Sequence, residues 1–156
     1  MLTRESGRGS AATAAPPGRT YSQQRTAAQR AIGWLYTGLA WAILAGLLLQ
    51  VYLAGTALFG ATTFEGHRSL GMALVLPVLL LPVLALAGRM GWRLIGLSAL
   101  LLFLTIVQIV LPGLRDDISF VAALHPVNGM ALGGVTSICA RRGRTWATAP
   151  GRVVGG

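Results

Sequence analysis

The sequence predicts an all-α integral membrane protein, a four-helix bundle built from two helical hairpins in parallel repeat, with both chain ends in the cytoplasm. Three observations predict it. The 156 residues are 54% hydrophobic and only 11% charged, where soluble domains average ~25% charged. Four runs almost free of charge each approach the ~20 residues that an α-helix needs to cross a bilayer. The arginines gather in alternate connections between those runs.

Residues 1–29 are rich in Gly, Ala, Ser, Thr, Pro and Arg and lack apolar periodicity. Such a segment buries too little surface to offset the entropy of ordering, so a disordered, Arg-rich cytoplasmic tail is expected. The bundle is expected over 30–141, with its first helix over 31–60. That run is longer and later than the ~7–15-residue apolar region of a cleavable signal, and is read as a retained span. The second helix is expected over 66–88, the third over 92–114 and the fourth over 118–140, with Asp117 as N-cap for a start at Ile118. Residues 142–156, with their Pro and repeated Gly, form a second cytoplasmic tail.

Charge sets the orientation. All thirteen basic residues are arginines, and the formal net charge is +9. Five lie in the first tail and at its end, up to Arg30; Arg89 and Arg93 lie between the second and third runs, and four lie after residue 140. Only Arg68 and Arg115 lie in the other two connections, beside Glu65, Asp116 and Asp117. This alternation follows the positive-inside rule and removes nucleic acid as the reason for the charge. Trp34, Trp92 and Trp146 fall near the inferred cytoplasmic ends, as interfacial aromatics do, while Trp41 sits deeper. The single cysteine, Cys139, allows no intrachain disulfide.

An internal repeat relates the two hairpins. QVYLAGTALFGATTFEGHRSLGMAL over 50–74 aligns without gaps on QIVLPGLRDDISFVAALHPVNGMAL over 108–132. Gln50 matches Gln108, His67 matches His125, and both copies end on Gly-Met-Ala-Leu. Both hairpins begin inside, so they are parallel repeats about an axis along the membrane normal. That axis brings His67 and His125, the only histidines, to equal depth on facing helices near the outer face. The alignment also predicts that the returning helix starts near His125, with Pro126 in its first turn, and that DDISFVAA is partly loop or interfacial helix.

An ionisable group inside a membrane is by default a functional site. Two imidazoles from opposite helices form a linear pair of axial ligands for haem iron in a bundle core. Zinc needs more ligands, so Glu65, Asp116 or Asp117 would have to join. Gly71 and Gly129, four residues after each histidine, leave room for a porphyrin edge or for close helix packing. Arg68 and Arg115 are placed to pair with propionates or to snorkel. Gln50 and Gln108 are placed to orient a ligand or to bond between helices. Met72 and Met130 point away from the histidine face and are read as packing.

These residues resemble one four-helix half of the haem A synthase family, over about residues 31–140. The His-Arg dipeptide His67–Arg68, the second histidine His125 opening the last helix, and the outer ends LLLQVYLAG and IVQIVLPG carry the resemblance. It implies a multi-pass protein of the bacterial cytoplasmic membrane that binds one haem b through His67 and His125. Only one bundle is present and the first outer connection holds no cysteine pair, so haem hydroxylation does not transfer. Two protein ligands favour electron transfer or haem handling, with a quinol, a redox protein or a second copy of the chain as partner. The alternatives are a cofactor-free structural or assembly subunit, or a haem-modifying enzyme acting as a homodimer.

Overall fold

The computed structural model describes residues 21–23, 25–150 and 152–154. Between Arg25 and Pro150 the chain is all helical. It forms α1 (Ala27–Leu58), α2 (Glu65–Ala87), α3 (Trp92–Val110), a 3-10 turn (Leu111–Leu114), the short α4 (Ser119–Ala122) and α5 (His125–Thr148). In a unit of their own, Tyr21–Gln23 and Arg152–Val154 pair as two antiparallel strands, β1 and β2, with Ser22 opposite Val153. Of the tail expected over 1–29, residues 1–20 and 24 lie outside the described residues, as do 151, 155 and 156 of the second tail.

α1 begins at Ala27, earlier than the apolar pattern alone gives, because Thr26 and Gln29 form a capping box. The Gln29 N–H donates to Thr26 Oγ1 and the Thr26 N–H to Gln29 Oε1, both at 3.1 Å, which satisfies two otherwise unpaired donors. α2 ends in a Schellman turn, with the Arg89 N–H on Leu86 O and the Met90 N–H on Ala85 O. The residue in the left-handed conformation there is Arg89, at φ 53°, where glycine is usual.

The fourth long helix differs from the 118–140 expected from the apolar run. The chain makes a 3-10 turn and the one-turn α4 first, and α5 starts at His125, as the repeat alignment requires. Asp117 is not a cap, since Ile118 precedes α4 and no side chain caps it. At its other end α5 runs on to Thr148. Arg25 donates to the carbonyl oxygens of Trp146 and Ala149, and its guanidinium lies 4.1 Å from the Trp146 ring centroid. A cation on the last carbonyls is a favourable helix terminus, so residues read as tail are helix.

α1 packs on α2 and α5, and α3 packs on the same two, so α2 and α5 stand apart with α1 and α3 between them. Tyr36, Ile43, Leu81, Leu101 and Cys139 fill the centre. The Tyr36 hydroxyl lies 2.8 Å from Ser98 Oγ, which donates to Leu94 O. Thr37, Ser98, Thr105 and Thr136 are all buried, and each hydroxyl donates to the carbonyl four residues earlier. Meanwhile Leu48, Val51, Tyr52, Leu76, Phe103 and Ile106 face outward. Small polar groups inside and large apolar groups outside is the arrangement a lipid solvent favours. Three helical segments, Ala27–Leu58, Glu65–Ala87 and Trp92–Leu114, are long and apolar enough to cross a membrane, as a multi-pass membrane protein requires.

Candidate functional site: a histidine pair anchored on glutamine carbonyls

His67 is the third residue of α2 and His125 the first of α5, so each sits just past a connection that returns the chain. The helix each returns along carries its glutamine, Gln50 on α1 and Gln108 on α3. His67 Nδ1 lies 3.1 Å from Gln50 O, and His125 Nδ1 lies 3.1 Å from Gln108 O. The same atom meets the equivalent partner at the same length in both halves. A carbonyl accepts only, so Nδ1 carries the proton in both rings and Nε2 carries the lone pair, the tautomer a metal ligand needs.

The rings meet across the molecule. Their centroids are 6.1 Å apart at an interplanar angle of 62°. Two imidazoles bound through Nε2 to opposite sides of one metal ion, at about 2 Å each, place their centroids about 6 Å apart. Both rings are half-buried, and the Phe64 ring stands edge-on to His67 with centroids 6.3 Å apart. Among the described residues no three His, Cys, Asp or Glu side chains gather, so Glu65, Asp116 and Asp117 do not complete a zinc set.

The halves differ in what covers Nε2. Gln108 Nε2 donates to His125 Nε2 at 3.1 Å, and Asn128 Nδ2 donates to Gln108 Oε1 at 2.6 Å and to Leu104 O at 2.9 Å. Asn128 thereby fixes which way the Gln108 amide faces. In the first half the equivalent position, three residues past the histidine, is Leu70, which has nothing to donate. Gln50 Oε1 is accordingly buried without a hydrogen-bond partner among the described residues. Asn128 is the residue that sequence reasoning missed. Its signal was present, because it replaces a leucine where the aligned repeats are otherwise apolar.

The remaining expected residues fall into two groups. Gly71 and Gly129 do face the site, but glutamine amides occupy the space beside them. A Cβ on Gly71 would lie 2.7 Å from Gln50 Nε2, and one on Gly129 would lie 3.5 Å from Gln108 Nε2. Arg68 and Arg115 are exposed, and Arg115 pairs with Asp116 at 3.2 Å. Met72 and Met130, at 58% and 79% exposure, point outward.

A family model described as a family of unknown function (DUF6220) matches residues 50–114. The match runs from Gln50 through His67 and Gln108 and ends ahead of His125. No curated protein and no solved structure matches the chain.

Proposed function

We propose that the chain is a four-span protein of the bacterial cytoplasmic membrane, with both termini cytoplasmic, that holds one haem b between His67 and His125 near the outer face. The observation that carries this reading is the ring pair, with centroids 6.1 Å apart and each ring tethered through Nδ1 to a backbone carbonyl. The residues fit the group in chemistry as well as spacing. Both Nε2 atoms are lone-pair donors, and the buried, unpartnered Gln50 Oε1 marks the first half as incomplete.

When bound between His67 and His125, haem would supply one-electron redox chemistry. The chain's own residues hold and tune. The Gln50 and Gln108 carbonyls fix each imidazole's tautomer and orientation. The Gln108 amide must turn away from His125 Nε2 before that nitrogen can ligate, whereas among the described residues no amide hydrogen-bonds His67 Nε2. Arg68, next to His67 and exposed, is placed for a propionate, and Arg115 becomes available once its exposed pair with Asp116 opens. Electron transfer or haem handling follows, with a quinol, a redox protein or a second copy of the chain as the exchange partner.

A second reading is favoured by one specific observation. The Asn128–Gln108–His125 network satisfies both nitrogens of His125 within the protein, as a cofactor-free structural or assembly subunit would have it. Absorption spectra of the protein purified from haem-supplied cells, oxidised and then dithionite-reduced, decide between them. Sharp reduced bands that vanish in both His67→Ala and His125→Ala support the haem reading. A colourless protein, or colour that survives either substitution, refutes it.

A further inference from the structure

The described acidic residues gather at one end. The acidic residues, Glu65, Asp116 and Asp117, lie at the histidine end. At the opposite end Arg30, Arg89, Arg93, Arg141, Arg142 and Arg144 are all exposed, with no carboxylate among the described residues there to neutralise them. The capping role of Arg25 leaves this collar intact. Topology accounts for the sign of the collar, but not for the shape of one part of it.

Between α3 and α5 the collar overhangs an apolar groove lined by Trp92, Gly96, Leu97 and Leu100, with Arg93 and Arg142 at its lip. The two guanidinium groups come from different helices. Arg93 is held near the opening by its own neighbour, with its guanidinium carbon 5.5 Å from the Trp92 ring centroid. A Cβ on Gly96 would meet no atom within 4 Å, so the notch it leaves is open and is not filled by the protein.

We infer that this groove is a binding site for an anionic phospholipid, its phosphodiester between Arg93 and Arg142 and one acyl chain along Gly96, Leu97 and Leu100. Guanidinium forks match phosphate oxygens in pairs, and a basic pocket between spans at the interface is where such a headgroup sits. The apolar floor selects a lipid over a free phosphate, because it rewards the acyl chain that phosphate lacks. The inference rests on the membrane-spanning reading and is independent of the histidine pair and of haem.

Native mass spectrometry of the full chain released from detergent, titrated with phosphatidylglycerol or phosphatidylcholine, tests it. Phosphatidylglycerol is expected to be retained ~tenfold more than phosphatidylcholine, and the preference to disappear in Arg93→Gln/Arg142→Gln. Gly96→Leu keeps every charge and, lying in open space, leaves the fold intact; it is expected to lose the lipid by filling the notch. Arg68→Gln/Arg115→Gln, which removes the same charge at the other end, is expected to bind as the natural chain does. Equal retention of the two lipids, loss in the Arg68/Arg115 control, undiminished binding in Gly96→Leu, or displacement of the lipid by inorganic phosphate alone would each overturn the assignment.

Discussion

Replacing Asn128 with leucine makes the second histidine half resemble the first, where Leu70 holds the same place, and the proposed haem reading predicts opposite effects on stability and on haem affinity. Asn128 donates to Leu104 O at 2.9 Å and to Gln108 Oε1 at 2.6 Å. Each such bond contributes about 1 kcal/mol net, and the carbonyl left behind on Gln108 loses its partner, so the cofactor-free protein should lose about 1–2 kcal/mol. Leu104 O still accepts within its helix, which keeps the loss near the lower figure. In the proposed haem-bound state the Gln108 amide would have left His125 Nε2, so part of this network would be gone and the substitution would remove less. A ligand's affinity follows the difference between the two states. If half of the loss is confined to the free protein, haem should bind about twofold to fivefold more tightly to Asn128→Leu, since 1.4 kcal/mol is tenfold. Thermal melting of the haem-free protein in detergent and titration with haem followed by absorbance measure the two quantities. A variant that melts lower and also binds haem more weakly would refute the reasoning, because Asn128 would then position His125 for ligation instead of holding it closed.

Four further substitutions separate packing from charge. Gly143→Ala places a Cβ 2.7 Å from Tyr36 Cδ1 and 2.9 Å from Thr37 Oγ1, against a fully buried ring, so overpacking should outweigh the helix-propensity gain and destabilise by about 1–2 kcal/mol. Gly134→Ala on the same helix meets nothing within 4 Å and should stabilise by about 0.5–1 kcal/mol in the same melting assay, so equal signs for the two would count against the packing described. Arg25→Ala removes the cation from Trp146 O, Ala149 O and the Trp146 ring, and hydrogen exchange should show the last turns of α5 losing protection at a cost of about 1–2 kcal/mol. Arg89→Gly relieves a left-handed φ of 53° and should raise the melting temperature, by about 1 kcal/mol in stability, while weakening association with anionic vesicles.

What the sequence made legible was periodic, and what it hid was local. The gapless alignment of residues 50–74 on 108–132 places His67 and His125 in equivalent bonds, and the start of α5 at His125 follows from it. The apolar run beginning at Ile118 is a poorer guide, because a run of hydrophobic residues records only lipid or core exposure and continues through the α4 turn without marking the break. The far end of α5 was hidden for the opposite reason. Arg142 and Arg144 read as tail, yet a helix terminus accepts cations, and the cap comes from Arg25, more than a hundred residues earlier in the chain. Gly71 and Gly129 signal room for a porphyrin edge or for close helix packing, and glutamine amides lie beside them. A glycine on a helix face announces a close approach without naming what approaches.

The difference between the two halves bears on the function more than their likeness does. Both rings are anchored in the same way, so the anchoring alone would serve a structural pair or a metal-binding pair. A structural role, however, rewards closing every buried polar group, because the hydrocarbon region has no water to relieve one. The second half is closed by Asn128. The first half, with Leu70 in that place, leaves Gln50 Oε1 buried and unpartnered, a penalty of about 1–3 kcal/mol that a single leucine-to-asparagine change would remove. A pair that is half closed suits a site that must open to take its cofactor. On the proposed reading His67 Nε2, which meets no hydrogen bond among the described residues, would make the first contact, and the Gln108 amide would yield His125 Nε2 only to a stronger partner. On that logic Leu70→Asn should stabilise the haem-free protein by about 1 kcal/mol and slow haem uptake, and a stabilised variant that takes up haem at the natural rate would separate the two effects and remove the functional meaning from the asymmetry.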